Sequence, residues 1–165
     1  MNHSITKAQF DLQRSWFTNS LADISEKESN IRIADNLNPI KWVAGHVLNT
    51  RMSLLSILSG NPQDPDYSKL FGKGSSNKLD SSFPSIEEIK LKWNSVSVEL
   101  TNYISGLTED KLLSPPPFQT AIANNTLQGL IAYMVIHESH HIGQLSILRK
   151  LLGKTAMSMS RQVLI

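Results

Sequence analysis

Two histidines one helical turn apart, His137 and His141, stand in the run His137-Glu138-Ser139-His140-His141-Ile142-Gly143-Gln144. At about 100° per residue they project in nearly one direction, on the stripe that also carries Leu130, Met134 and Leu148, so both point inward. Imidazoles placed this way can share a metal, because their ring nitrogens converge at the distance a Zn²⁺ or similar ion demands. A lone inward histidine reads as a core residue satisfied by hydrogen bonds; the i, i+4 pair reads as metal-ligating. His140 falls about 80° round the wheel and is assigned to solvent or to the surroundings of the site.

Two imidazoles alone would hold an ion weakly, so a third ligand is required. Of the five histidines only His3 and His46 remain, and His3 lies in a terminus expected to fray. His46 sits mid-helix in Trp42-Val43-Ala44-Gly45-His46-Val47-Leu48, beside an apolar face, and Gly45 next to it permits close approach of another helix. Three neutral histidines on two helices leave at least one coordination position open, which is the arrangement of a catalytic site rather than a purely structural one.

The same run satisfies the H-E-x-x-H pattern of zincin peptidases, in which Glu138 would be the general base. Zincins take their third ligand downstream of the motif, yet residues 142–165 contain no His, Asp or Glu, and no edge strand for a peptide is visible. A di-iron reading of Glu138-x-x-His141 fails for want of a second Glu-x-x-His copy. Glu138 lies about 80° round from the two histidines, on the side shared with Ile131, Ile142 and Leu145. A buried carboxylate there must either meet water at a metal or accept hydrogen bonds from a partner helix. Gln144 either orients a ligand or bonds across the bundle. Trp42 and Trp93 line a pocket or, as aromatics at helical spacing more often do, fill the core. Phe71-Gly72-Lys73-Gly74-Ser75-Ser76 has the wrong spacing for a phosphate loop and reads as a turn.

The elements that carry these residues are helical throughout. Spacing of i, i+3, i+4 type predicts a first helix over about Thr6 to Glu26, and a second from Asn38-Pro39, as cap and first-turn proline, to Gly60. Residues 61–84, rich in Pro, Asp, Gly and Ser, form a long aperiodic connection that is functional or a crossover. Ser85-Ile86-Glu87-Glu88 is a capping box for a third helix that ends near Ser105-Gly106. Pro115-Pro116-Pro117 forbids helix or central strand, and Thr126 caps a fourth helix reaching about Gly153. No alternating run predicts a sheet, so the expected class is an all-α helical bundle.

Bulk composition agrees. A chain of 165 residues, 40% hydrophobic, suits one domain over residues 1–165. Its 16 basic and 14 acidic residues leave a formal charge of only +2 and lie scattered, so no nucleic-acid partner is expected. The absence of cysteine removes disulfides, thiolate ligands and a cysteine nucleophile. MNHSITKAQFDLQRSW has no apolar leader core and no stretch is long enough to span a bilayer, so the expected place is the cytoplasm, without membrane association.

The chain resembles the DinB-like (DinB/YfiT-like) metalloproteins. The resemblance rests on Asn38-Pro39-Ile40-Lys41-Trp42-Val43-Ala44-Gly45-His46, on His137-Glu138-Ser139-His140-His141-Ile142-Gly143-Gln144 followed by Leu148-Arg149 and Leu152-Gly153, and on Phe83-Pro84-Ser85-Ile86-Glu87-Glu88-Ile89. It spans nearly the whole chain. It implies a four-helix bundle of up-down-down-up order with a long crossover after the second helix, a metal on His46, His137 and His141, and a homodimer. It also implies a metal-dependent hydrolase, or a transferase or isomerase that uses a low-molecular-weight thiol with a small-molecule substrate. The expected cofactor is one divalent transition metal, zinc or nickel foremost and then iron or manganese, since imidazole serves all of them. The alternative is a non-catalytic module whose ion only ties the second helix to the fourth. No catalytic residue beyond the metal ligands is identifiable from the sequence.

Overall fold

The computed structural model describes residues 3–161. Its helices are α1 (His3–Ser20), α2 (Glu26–Ser29), α3 (Ile40–Ser59), α4 (Pro65–Phe71), α5 (Ile86–Ser105), α6 (Glu109–Leu113) and α7 (Leu127–Leu151). The four long ones, α1, α3, α5 and α7, make the bundle: α3 and α1 each pack against both α5 and α7. Two apolar layers give the direction of each helix. One layer holds Phe17, Leu21, Val43, Val47, Ile89, Trp93, Ile142 and Leu145, and the other Phe10, Leu54, Leu58, Leu100, Ile104, Leu130 and Met134. From the second layer to the first, α1 and α7 ascend in number while α3 and α5 descend, which is the expected up-down-down-up order.

The third and fourth long helices begin at the expected caps. Ser85 Oγ accepts from the Glu88 amide and Glu88 reaches back to Ser85 N, and Thr126 Oγ1 accepts from Gly129 N. Gly60 ends α3 in the left-handed region, φ 78°, which costs a residue without Cβ little.

The first helix is shorter than expected. It stops at Ser20 because the chain turns through Asp23 at φ 59° and Ser25 starts α2 with a capping box of its own on Glu28. That Ser-x-x-Glu signal stands in the sequence, and the apolar periodicity running through it masked it. Short as it is, α2 joins two long helices: Glu26 takes the buried Lys41 ammonium of α3 and accepts from Ile86 N at the start of α5, 2.8 Å. At the head of α3 Pro39, not Asn38, is the cap residue, and Asn38 Oδ1 instead accepts from Asn77 of the crossover, 2.5 Å.

The crossover is not structureless. Asp64 caps and Pro65 opens α4, another legible helix start. Lys92 of α5 holds α4 in place, with an ion pair to Asp64 at 2.8 Å and its ammonium 4.1 Å over the Tyr67 ring. Phe71, fully buried, then enters the groove against α3 at Gly45, where any Cβ would overlap its ring. Gly45 therefore admits an aromatic side chain of the crossover rather than a neighbouring helix. Gly45→Ala is expected to displace Phe71 and cost about 1–3 kcal/mol, the usual toll of overpacking. Urea unfolding checks it: a midpoint equal to that of the parent chain counts against the packing described here. Among the described residues no helix is long and apolar enough to cross a membrane.

Candidate metal centre

Where α3 crosses α7, a buried ion pair sets the register. Arg51 Nε donates to Glu138 Oε1 at 2.9 Å and Arg51 Nη2 to Oε2 at 2.5 Å, with both side chains at 0% exposure. The third arm of the guanidinium, Nη1, donates to Ser97 Oγ of α5 at 2.6 Å, and its plane lies 3.6 Å over Trp93. Trp93 is itself fully buried and stacked on Phe17 of α1, 4.0 Å between centroids. One cation of α3 thus bonds to α5 and α7 and stands on an α5 ring that is stacked against α1.

Burial pushes the Glu138 carboxyl above the usual carboxylate range and the Arg51 guanidinium opposes that shift. Two guanidinium N–H donors, one on each oxygen, need an acceptor at both, so the pair is read as ionised. Of the two roles open to Glu138, acceptance from a partner helix is the one the structure gives. With both oxygens held by Arg51, it is not placed as the base of an H-E-x-x-H peptidase.

Beside this pair, His46 of α3 meets His137 and His141 of α7. One ring nitrogen from each lies within 4.8 Å of the others, with ring centroids 5.5 Å apart for His46 and His137, 4.7 Å for His46 and His141, and 4.6 Å for His137 and His141. The surroundings set the tautomers. His46 Nδ1 is 2.7 Å from the Phe71 carbonyl oxygen, which can only accept, so Nδ1 donates and Nε2 keeps its lone pair. Trp42 stacks on the same ring, 5.1 Å away and 6° from parallel. His141 Nδ1 is 2.8 Å from Gln144 Oε1, while the Gln144 amide nitrogen is 3.1 Å from His140 Nε2. Donation from that nitrogen leaves Oε1 to accept from His141, and again Nε2 is the free atom. Hydrogen-bonded Nδ1 atoms of this kind orient the histidines of metal sites.

His137 is different. Its Nε2 faces His141 Nε2 at 3.3 Å, and its Nδ1 is buried with no partner among the described residues. Neither tautomer satisfies both ends of the ring, so hydrogen bonding alone does not account for a histidine here. Burial, reinforced by the neighbouring imidazoles, pushes the His137 pKa down to about 4. Burial also lowers that of His141, against the bond to Gln144. Both rings are therefore uncharged at neutral pH and carry the lone pairs a cation needs. The donor set fits a divalent transition metal, and three imidazoles on two rigid helices leave further coordination positions to other ligands.

Of the five histidines the structure brings together His46, His137 and His141. His140 is exposed and outside the cluster, and the His3 side chain lies outside the described residues. Two participants escaped the sequence: the Phe71 carbonyl, which no side-chain pattern reports, and Arg51. Arg51 did leave a signal, a cation three and four residues from Val47, Leu48, Leu54 and Leu55 and so on the apolar face of its helix, where a charge is seldom buried unless paired.

The backbone is similar to that of a solved structure described as the crystal structure of the conserved protein of locus from Enterococcus faecalis. The TM-score is 0.73 at 15% identity, covering 93% of this chain and 99% of that one, a likeness of fold alone. No curated protein matches the chain. The sequence profile of the DinB superfamily matches residues 9–145, a span that contains all three clustered histidines.

Proposed function

Because this chain belongs to the DinB superfamily, we propose that it is a metal-dependent enzyme with one divalent transition ion, zinc or nickel before iron or manganese, on His46, His137 and His141. It acts as a hydrolase or a thiol-dependent transferase on a small molecule. One observation carries the reading. Two of the three imidazoles are locked with Nδ1 donating, to Phe71 and Gln144, which leaves their Nε2 lone pairs free in a cluster where His137 Nε2 stands 3.3 Å from His141 Nε2. When bound there, the ion supplies Lewis acidity. The chain's own residues orient His46 and His141, and the Trp42 ring covers one face of His46.

The competing reading, an ion that merely staples α3 to α7, is weakened by the Arg51–Glu138 pair, which already joins those helices next to the cluster. The test is to strip the protein, reload it with Zn²⁺ or Ni²⁺, and screen ester hydrolysis and thiol transfer alongside X-ray absorption at the metal edge. The expected result is a sphere of three imidazoles with an exchangeable light-atom ligand, and an activity that follows metal content. A closed sphere made only of protein ligands would reject the enzyme.

A further inference from the structure

A cleft of about 310 Å³ runs from His137 along the α3–α7 groove. We propose that this is the substrate cleft of the metal centre and that it takes a small molecule that carries a hydrogen-bond donor and no charge away from its metal-bound end. The inference rests on the metal reading above and adds to it the class of substrate.

Position comes first. His137 lines the cleft itself, and Thr50, in its wall, follows His46 by one helical turn on α3. Tyr133, another wall residue, precedes His137 by one turn on α7, and its ring centroid is 6.0 Å from that of His137. Each metal-site helix thus contributes the adjacent turn to the cleft. The two irregular connections close it, with Gln63 from the segment before α4 and Phe118 from the segment before α7. The volume is at the small end of the roughly 300–1,000 Å³ typical of ligand pockets, which limits the occupant to a small molecule.

The chemistry of the walls comes second. Among the described residues no lysine, arginine, aspartate or glutamate lines the cleft. Away from the ion, a charged group seated against these walls would lose water without meeting a counter-charge, so the walls select against charge there, while the metal-bound end of the occupant meets the ion's own charge. The α3 hydroxyls in the wall are pre-committed as donors. Thr50 Oγ1 gives its proton to the Val47 carbonyl at 2.8 Å, and Ser53 Oγ gives its own to Gln63 Oε1 at 2.6 Å. Gln63 is held in turn by Asn49, its amide nitrogen donating to Asn49 O at 3.0 Å and to Asn49 Oδ1 at 2.6 Å. What the two hydroxyls offer the cleft is lone pairs. They recognise an N–H or O–H on the ligand, while Phe118 and Tyr133 provide aromatic walls for an apolar body.

The test uses the full chain loaded with Co²⁺, whose visible spectrum reports ligands at the ion. It compares two probes, benzohydroxamic acid and its 4-carboxylate analogue, which chelate an open metal alike and differ only in charge at the far end. Neutral benzohydroxamic acid is expected to bind at least about tenfold more tightly. Ser53→Trp, which fills the cleft, should remove that preference with Co²⁺ content unchanged. Phe118→Ala, at a half-exposed position that tolerates truncation, should weaken the neutral probe several-fold and spare the anionic one. Equal or tighter binding of the carboxylate overturns the inference, as does a preference that survives both variants. Failure of the chain to take up Co²⁺, or uptake that His46→Ala leaves intact, instead overturns the metal reading. Saturation-transfer NMR with benzamide and benzoate on the same metal-free protein then still reads the cleft's discrimination, and equal binding of the two counts against it.

Discussion

Arg51→Met is expected to cost about 3–5 kcal/mol of folding stability at neutral pH, the usual penalty for leaving one half of a buried ion pair without its partner. The cause lies on the acid. With the guanidinium gone, Glu138 at 0% exposure keeps the burial that raises its pKa and loses the charge that opposed it. A carboxyl whose folded pKa is raised above its unfolded value folds best below that unfolded value, and loses stability as pH rises through the folded one. The deficit of Arg51→Met should therefore shrink as the pH is lowered toward the ordinary carboxylate range. Glu138→Gln should also destabilise, since a buried guanidinium is left facing a neutral amide. Arg51→Met combined with Glu138→Leu should recover most of the loss, because replacing both charges by apolar side chains of similar size is often neutral or stabilising. Urea unfolding across pH measures all three. A single Arg51→Met change that costs less than about 1 kcal/mol would show that the pair does not carry the junction of α3, α5 and α7.

Removal of any one of His46, His137 and His141 should empty the metal site. After dialysis against a mild chelator, the metal-to-protein ratio of each alanine variant is expected to fall from near stoichiometric to near zero, as a three-imidazole site becomes a two-imidazole one. His140→Ala should keep its metal, since that ring is outside the cluster. Gln144→Ala separates a ligand from its support. Losing the acceptor that holds His141 Nδ1 should weaken the metal by about 10–100-fold without abolishing binding. Retention of metal by His46→Ala together with its loss in His140→Ala would reject the three-histidine assignment.

The features legible in the amino-acid sequence are those that a helix decides within itself. His137 and His141 share a face because of the 3.6-residue repeat alone, and Ser85–Glu88 and Thr126 announce helix starts through bonds to amides three residues on. Four apolar stripes sufficed to predict the bundle, because each stripe must be covered by another. Even α2 and α4 had local signals, at Ser25–Glu28 and Asp64-Pro65, though the apolar pattern of one segment and the length of the other obscured them.

What periodicity does not contain is which inward residue meets which, since that depends on how helices far apart in the chain slide and rotate against each other. Glu138 is the plain case. Its burial was readable, yet its two possible roles were locally equivalent until α3 arrived in the register that sets Arg51 against it, 87 residues away in sequence. His46 needed the same junction to reach its partners. Its tautomer needed more, a carbonyl at the end of a short crossover helix 25 residues downstream. Backbone acceptors have no residue type, so no sequence pattern reveals them, and only the tertiary structure placed that oxygen where it frees the opposite nitrogen of His46.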